Sequence, residues 1–365
     1  MQTAGIFDIP HLRPLGRINE EAARRAGVLP LFWACGGLEV RFDGTELRIV
    51  LEADFAQLEP WIAVEVDGAP LIRMPVNRGC SEVCVFRGAE PGRPRTVRLL
   101  KETQPLAEDP RSRLWVRGLR WTGGRFLPLP EPKYRLEFVG DSLTSGEGVL
   151  GARGEESWMP AIFSASRTWA SRTARLMDAG FRTVSQSGWG LRSGWDNDPR
   201  HNLPGQYERI CGVASGTDAQ ALGSQMDNGF DAWRPDAVIV NLGTNDANAL
   251  SSPAWTGPNG EQFRQLDTPE GLRRIEDAAV SFLRQLRRCN PDAALVWAYG
   301  MCGDRLRPQL EGAVERFRRE TGGQCAYYLP LPAAEEETMG SRQHPGPRCH
   351  EAAAEAVAGF LKRIL

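Results

Sequence analysis

Two patterns of hydrophobic and polar positions divide the chain. Between about residues 30 and 127, short runs of alternating apolar and polar residues are separated by turn residues. Such alternation is typical of strands with one buried face. The runs lie at 38–53, 61–74, 94–103 and 113–124. The first two each contain an Asp-Gly pair, which predicts a hairpin at both places. We therefore predict an all-β sandwich over residues 1–128, folded as a jelly roll.

A short proline-rich stretch separates this region from the rest. Residues 127–133 contain three prolines, which favours a stiff linker between domains. After it, nearly continuous apolar runs alternate with amphipathic segments. The predicted strands are 134–140, 181–188, 236–243, 293–300 and 325–331, and the predicted helices are 166–180, 269–290, 306–320 and one within 348–365. Buried strands separated by helices indicate a parallel α/β sheet, which we assign to a second domain over 134–365.

Length, charge and hydropathy narrow the classes of protein. A chain of 365 residues agrees with two domains. Lys and Arg total 44 against 46 Asp and Glu, a balance that argues against a nucleic-acid partner. No apolar run approaches the ~20 residues of a membrane helix, and the N-terminus lacks a basic start followed by an apolar core. We therefore expect a cytoplasmic protein with no membrane partner; nothing in the sequence indicates its oligomeric state.

The cysteines and histidines do not predict a metal site. There are eight cysteines and four histidines, and no two cysteines have the Cys-x-x-Cys spacing of many zinc sites. We expect reduced thiols, most of them small core residues. Cys80 and Cys84 would lie on the same face of one strand, where a disulfide is not expected.

Candidate catalytic residues follow the predicted strands, at the edge where parallel sheets place their active sites. Ser142 comes at a strand-to-helix turn that exposes its hydroxyl, and Gly188 lets a substrate oxygen approach a backbone N–H. Asn245 can donate a hydrogen bond to an oxyanion, and His344 suits a general base. Each has a simpler explanation when taken alone: a helix cap, a glycine turn, an Asx turn or a solvated loop histidine.

Taken in order along one α/β domain, the four blocks resemble a known superfamily. The stretches FVGDSLTSGEG, SQSGWG, VNLGTNDAN and HPGPRCHEAAAEAV resemble those of the SGNH hydrolases, also called GDSL esterases. The resemblance implies a three-layer fold with a flavodoxin-like parallel sheet. It also implies Ser142 as nucleophile, His344 as general base, and an oxyanion hole from the N–H groups of Ser142 and Gly188 with the amide of Asn245. It implies no metal and no organic cofactor.

The predicted sandwich and one difference from the usual superfamily motif narrow the resemblance to a single family. A sandwich ahead of such a domain resembles the second family of carbohydrate esterases, which are two-domain deacetylases. Most SGNH enzymes have Asp three residues before the histidine, whereas Ser341 stands here. Members of the second family are known to use a Ser–His dyad with a backbone carbonyl in place of that Asp. Asp141 and Asp246 are expected to fix hydrogen bonds in their loops, and Gln186, where Asn is usual, leaves the register of the Gly188 block open.

The resemblance implies a serine esterase, acetyl xylan esterase-like, that removes short acyl groups from carbohydrate hydroxyls. Trp189 and Trp195, in and just after the second block, would stack on a sugar ring. The loop-rich insertions at 189–235 and 247–268 are expected to enclose a small acyl pocket. Three alternatives stay open: a generic GDSL lipase, thioesterase or aryl esterase; a carbohydrate-binding protein with an inactive hydrolase domain; and a structural or interaction protein.

Overall fold

The computed structural model describes residues 1–323 and 325–365. The strands, in chain order, are β1 (Gln2–Gly5), β2 (Arg13–Leu15), β3 (Leu29–Pro30), β4 (Gly37–Phe42), β5 (Glu46–Asp54), β6 (Trp61–Val66), β7 (Ala69–Pro75), β8 (Gly79–Arg87), β9 (Arg95–Lys101), β10 (Arg113–Thr122), β11 (Phe126–Leu127), β12 (Tyr134–Gly140), β13 (Ala179–Ser185), β14 (Ala237–Asn241), β15 (Trp255–Thr256), β16 (Gln262–Phe263), β17 (Ala294–Tyr299) and β18 (Ala326–Pro330). The helices are α1 (Glu20–Ala26), α2 (Ser142–Ser145), α3 (Trp169–Leu176), α4 (Thr217–Ala221), α5 (Thr244–Ala249), α6 (Pro269–Cys289), α7 (Arg307–Glu320) and α8 (Pro347–Ile364).

The first compact unit, here the sandwich unit, consists of residues 1–131, 158–166 and 209–228. One sheet has the order β1-β10-β5-β8 with β3 beside β10, and the other has the order β11-β4-β9-β6-β7 with β2 beside β4. All neighbouring strands in both sheets are antiparallel. The two sheets share one core, which includes Leu47, Ile49 and Leu51 of β5 and Leu38, Val40 and Phe42 of β4. The predicted antiparallel sandwich is confirmed; the jelly-roll path stays a prediction.

One of the two predicted hairpins forms, and the other does not. Strands β6 and β7 pair across Asp67 and Gly68, whose φ angles of 51° and 79° are those of a type I′ turn. The hairpin predicted over 38–53 is wrong, because β4 and β5 lie in different sheets. Asp43 and Gly44 do not adopt positive φ, and Asp43 instead bonds to the backbone of Arg125. An Asp-Gly pair without that backbone conformation does not reverse a strand onto its neighbour.

Two later segments of the chain belong to the sandwich unit. The Arg73 guanidinium donates hydrogen bonds to the carbonyl oxygens of Ala161 and Phe163, at 2.9 and 2.6 Å. The Trp33 indole N–H donates to the Ile210 carbonyl at 2.6 Å. Part of the predicted 189–235 insertion therefore packs with the sandwich. The domain limits expected from the sequence, 1–128 and 134–365, stay a prediction.

The second compact unit, here the parallel-sheet unit, consists of residues 132–157, 167–208 and 229–365. Its sheet has the order β13-β12-β14-β17-β18, with all neighbours parallel, which is the flavodoxin-like order. The central strands are buried as predicted, with every residue of β14 and of β17 buried, whereas the edge strand β18 is mostly half-buried. Helix α3 packs with α8, and α6 packs with α7. The predicted α/β domain is confirmed, although the helix expected over 166–180 is limited to α3.

All eight cysteines are thiols and none forms a disulfide, as predicted, but most are not core residues. Cys35, Cys211 and Cys349 are buried, whereas Cys80, Cys84, Cys302 and Cys325 are exposed. Cys80 and Cys84 share the outer face of β8, while Val83 and Val85 point to the core. Within the described residues, no helix combines the length and the apolar character needed to cross a membrane.

The pairing of β4 with β9 leads to a stability prediction at Gly37. A Cβ there would lie 1.8 Å from the Leu99 carbonyl oxygen. Gly37→Ala must separate the two strands, and such overpacking costs about 1–3 kcal/mol. We expect a lower free energy of unfolding in urea. Gly359→Ala in α8 is the control: its Cβ would meet open space, and alanine favours a helix, so stability should not fall. Unchanged stability of Gly37→Ala would contradict the pairing.

Candidate active site

Ser142 is the first residue of α2, and only Asp141 separates it from the end of β12. Asp141 caps this short helix by accepting the Leu143 N–H at 3.1 Å. Gly146, at φ 89°, ends the helix, and its N–H and that of Glu147 both donate to the Ser142 carbonyl, at 2.8 and 3.0 Å. The backbone on both sides of Ser142 is thereby held in place at the carboxyl edge of the sheet.

The imidazole of His344 lies against the Ser142 hydroxyl, although the two residues are 202 positions apart. Its Nε2 is 3.0 Å from Ser142 Oγ, and its Nδ1 is 2.7 Å from the carbonyl oxygen of Arg342. A carbonyl oxygen only accepts hydrogen bonds, so Nδ1 carries the proton of the neutral ring. Nε2 is then free to accept the Ser142 proton.

The loop that carries His344 has an unusual backbone and many hydrogen bonds. Arg342 and Gln343 adopt φ angles of 51° and 56°, a region that non-glycine residues rarely occupy. Ser341, at the position where the superfamily has Asp, is buried and donates through Oγ to the Leu150 carbonyl at 2.7 Å. Its N–H donates to the Gly148 carbonyl at 3.0 Å. Ser341 therefore fixes the loop and does not contact the imidazole Nδ1.

An ion pair that the sequence does not predict joins the same loop to the segment after α2. Arg342 Nε lies 2.9 Å from Glu147 Oε1, and the Glu147 carboxylate is only 4% exposed. Arg342 Nη1 also donates to the Glu156 carbonyl at 2.7 Å. Because every residue has a backbone carbonyl, no sequence pattern marks Arg342 as the partner of His344, and Glu147 has no motif of its own.

Gly188 and the two tryptophans follow β13. Gly188 adopts φ 77°, and its carbonyl accepts a hydrogen bond from the backbone N–H of Trp195 at 3.0 Å. Trp189 is 7% exposed and stacks on His201 with ring centres 5.1 Å apart. Trp195 is 55% exposed, and its ring lies 3.2 Å from where a Cβ on Gly188 would be. Trp195, and not Trp189, therefore presents a largely exposed ring beside the Gly188 turn.

Asn245 links these segments. It lies on α5, after β14, and its side chain is buried. Its Nδ2 donates to the Trp189 carbonyl at 2.9 Å and, more weakly, to Asp141 Oδ2 at 3.4 Å. The structure thus brings Asn245 next to the residue that precedes Ser142 and the residue that follows Gly188.

Two buried carboxyl groups, those of Asp141 and Asp246, accept hydrogen bonds from the loops of the site. Asp246 accepts the N–H groups of Leu191 and Arg192 at 2.7 and 2.9 Å, and also Gln265 Nε2 at 3.0 Å. Burial raises the pKa of Asp246. Burial also raises the pKa of Asp141 to about 7; the Leu143 hydrogen bond opposes this rise and the nearby Asp246 adds to it. Gln265, in the 247–268 insertion, has no sequence signal.

The other histidine near the C-terminus has a packing role. His350 is buried in α8, and its Nδ1 accepts a hydrogen bond from the backbone N–H of Trp169 at 3.0 Å. Burial lowers the pKa of His350 to about 3, so the ring is neutral at ordinary pH. Among the residues that the structure describes, no three His, Cys, Asp or Glu side chains are grouped as a metal ion would require.

The arrangement matches a family of ester hydrolases. The GDSL-like lipase/acylhydrolase family matches residues 138–352, which include Ser142, Gly188, Asn245 and His344. The chain belongs to this family. A GDSL-like acylhydrolase is a carboxylic ester hydrolase, and the resemblance found in the sequence is confirmed at this level.

Individual relatives share both units with this GDSL-like chain. A solved acetyl xylan esterase, Est2A from the rumen bacterium Butyrivibrio proteoclasticus, is 37% identical, with a TM-score of 0.95 over 100% of this chain and 99% of that one. A family two carbohydrate esterase from Clostridium thermocellum, solved with cellohexaose, is 23% identical with a TM-score of 0.80 over 97% and 98%, which shows the shared fold. The cellulase/esterase CelE of Acetivibrio thermocellus is 25% identical over 342 residues; the chain spans 37% of its length.

The burial of Asp141 predicts a pH-dependent stability difference. Between its ordinary pKa of 3.8 and about 7, the folded state keeps a proton that the unfolded state has lost. Stability therefore falls as the pH rises through this window, and the full effect of the buried charge is present above pH 7. Asp141→Asn carries no charge, so its melting temperature relative to the parent should be higher at pH 8 than at pH 5. The variant also loses the contact with Asn245, and this loss changes its melting temperature by the same amount at both pH values. A difference independent of pH would contradict the burial of an ionisable group here.

Proposed function

We propose that the protein is a carbohydrate esterase that removes short acyl groups, acetyl in particular, from sugar hydroxyls with a Ser142–His344 dyad. The observation that carries this proposal is the pair of contacts on one imidazole: Nε2 at 3.0 Å from Ser142 Oγ and Nδ1 at 2.7 Å from the Arg342 carbonyl. The first contact allows proton transfer, and the second selects the tautomer that can receive the proton.

In the first half of the proposed reaction, Ser142 Oγ attacks the carbonyl carbon of the ester while His344 Nε2 accepts the hydroxyl proton. A new C–O bond forms, and the carbonyl oxygen becomes an anion. When this tetrahedral species collapses, the bond to the sugar oxygen breaks, and the imidazolium returns the proton to the leaving hydroxyl. The sugar is released, and the acyl group stays on Ser142.

In the second half, a water molecule attacks the acyl-enzyme. His344 accepts a proton from the water, and the bond to Ser142 Oγ breaks as that proton returns to the serine. The products are the free carboxylic acid and the original enzyme. Each proton that leaves a nucleophile is delivered to a leaving oxygen, so the cycle needs no cofactor.

The anion of each tetrahedral species would be stabilised by the N–H groups of Ser142 and Gly188 and by Asn245 Nδ2. Loss of one such donor typically costs about 3–4 kcal/mol in the barrier. Asn245 already donates to two acceptors, and the bond to Asp141 is the longer one at 3.4 Å. An oxyanion would replace that weaker bond while the Trp189 bond keeps the amide oriented.

Two observations support a carbohydrate substrate. Est2A, named an acetyl xylan esterase, is 37% identical over nearly the whole of both chains. Trp195 presents an exposed ring beside Gly188, and aromatic rings can stack on sugar rings. His344 contacts Ser142, and Asn245 contacts Asp141, the residue before Ser142; this arrangement argues against the alternative of a carbohydrate-binding protein with an inactive hydrolase domain.

The test is acetate release from acetylated xylo-, manno- and gluco-oligosaccharides by the parent and by Ser142→Ala. We expect the parent to release acetate and the variant to lose about a thousandfold or more of kcat. Ser145→Ala is the matched control, because Ser145 lies on the same helix but its hydroxyl bonds to Ser185 Oγ at 2.9 Å. It should keep most of the activity.

The same proteins are assayed on p-nitrophenyl esters of increasing acyl length. A short-acyl enzyme should lose activity beyond about six carbons, whereas a pocket that admits extra methylenes would gain binding from each of them. Undiminished turnover by Ser142→Ala would contradict the serine mechanism. Steady activity on long esters would contradict acetyl preference and favour the generic GDSL lipase.

A further inference from the structure

The acceptor for His344 Nδ1 is a carbonyl on a residue with a rarely populated backbone conformation. Arg342 and the following Gln343 both have positive φ, at 51° and 56°. A non-glycine residue in such a region is strained, so it persists only where neighbouring groups hold it. The contacts of Arg342 therefore decide where this carbonyl points.

The side chain of Arg342 is held by the segment that follows the nucleophile. Its Nε is 2.9 Å from Glu147 Oε1, and Nη1 is 2.7 Å from the Glu156 carbonyl. The Arg342 N–H donates to the Glu155 carbonyl at 2.8 Å. The Glu147 N–H, in turn, donates to the Ser142 carbonyl at 3.0 Å. One ion pair thus connects the backbone of the serine to the residue that orients the histidine.

The two segments also fit closely around Gly148. A Cβ on Gly148 would lie 2.5 Å from both His344 Cβ and the Ser341 carbonyl oxygen, and Gly148 has φ 71°. Because Glu147 immediately precedes this glycine, its buried carboxylate lies where the two segments meet. A charged partner offsets the cost of burying such a carboxylate, and Arg342 supplies one.

We propose that Glu147 is a positioning residue for His344, acting through Arg342. Resting on the proposed Ser142–His344 function, this inference assigns to Glu147 the task that an Asp contacting the imidazole performs in a triad. The Glu147 carboxylate acts on the imidazole through one intervening residue. It fixes the Arg342 side chain, and this contact fixes the Arg342 backbone, whose carbonyl accepts the hydrogen bond from His344 Nδ1–H. Glu147 touches neither the serine hydroxyl nor the imidazole by hydrogen bond, so its effect is on orientation and local charge.

The test compares Glu147→Gln, Arg342→Gln and the double variant in acetate release between pH 5 and 9. Glutamine keeps the size of Glu147 and an acceptor for Arg342 Nε but removes the charge. We expect kcat to fall about tenfold or more, by analogy with groups that orient other functional histidines, with KM within about twofold. In Glu147→Gln the acid limb of the kcat/KM profile should move to lower pH, because the Arg342 charge near the imidazole is no longer neutralised.

The double variant tests the route through Arg342. If Glu147 acts through this residue, the two losses overlap, and the double variant should be no more than about twofold worse than the more severe single variant. Fully additive losses would overturn the route. Glu147→Asp keeps the charge with a shorter side chain and should recover most of the kcat and the parental pH profile; an aspartate variant as impaired as glutamine would overturn the role of the charge.

Controls separate positioning from stability and from the proposed function. Asp277→Asn is the control, because it removes an ionic partner from another arginine, Arg316, whose side chain is 34% exposed compared with 31% for Arg342. This substitution should leave kcat unchanged. Melting temperatures identify variants that fail to fold; if Glu147→Gln does, Arg342→Gln carries the test, and an unchanged kcat in that variant would overturn the inference. An unchanged kcat and pH profile in Glu147→Gln, with Ser142→Ala inactive, would overturn this inference and leave the proposed function standing. An active Ser142→Ala would overturn both.

Discussion

The hydrogen bond between His344 Nδ1 and the Arg342 carbonyl is the contact on which the proposed chemistry of the site depends. An imidazole at the end of a flexible side chain has two neutral tautomers, and only one leaves Nε2 able to receive the Ser142 proton. A carboxylate would select that tautomer and also stabilise the cation that forms. A neutral carbonyl selects it equally well but stabilises the cation less, which gives importance to the surrounding charges, Glu147 first among them.

The fold brings the partners of this hydrogen bond together from distant parts of the chain. Ser142 follows β12 at the carboxyl edge of the parallel sheet, and His344 lies in the loop just before α8, which packs with α3. Asn245 joins the Ser142 and Gly188 segments through Asp141 and the Trp189 carbonyl. Asp246 holds the loop beyond Trp189 by two backbone N–H groups. Buried polar groups therefore maintain the geometry between loops that share no regular structure.

Much of this could be predicted from the sequence, because buried parallel strands leave long apolar runs and catalytic side chains sit just after them. The strand before Ser142 and the meeting of Ser142 with His344 follow from that pattern and from the motif order. Contacts through the backbone could not be predicted: any residue could have supplied the Arg342 carbonyl. The 38–53 hairpin failed for a related reason, since the Asp-Gly pair reports a local preference while the sheet assignment of β4 and β5 depends on partners far along the chain.

The most direct test of the central claim is the tautomer of His344, read from the 15N shifts of the imidazole nitrogens in the resting enzyme above neutral pH, with the signal assigned by its loss in His344→Asn. The structure predicts a protonated Nδ1 and an unprotonated Nε2. His350 provides an internal contrast, because its Nδ1 accepts the Trp169 N–H and its proton must lie on Nε2. A proton on Nε2 of His344 would contradict the carbonyl-oriented dyad.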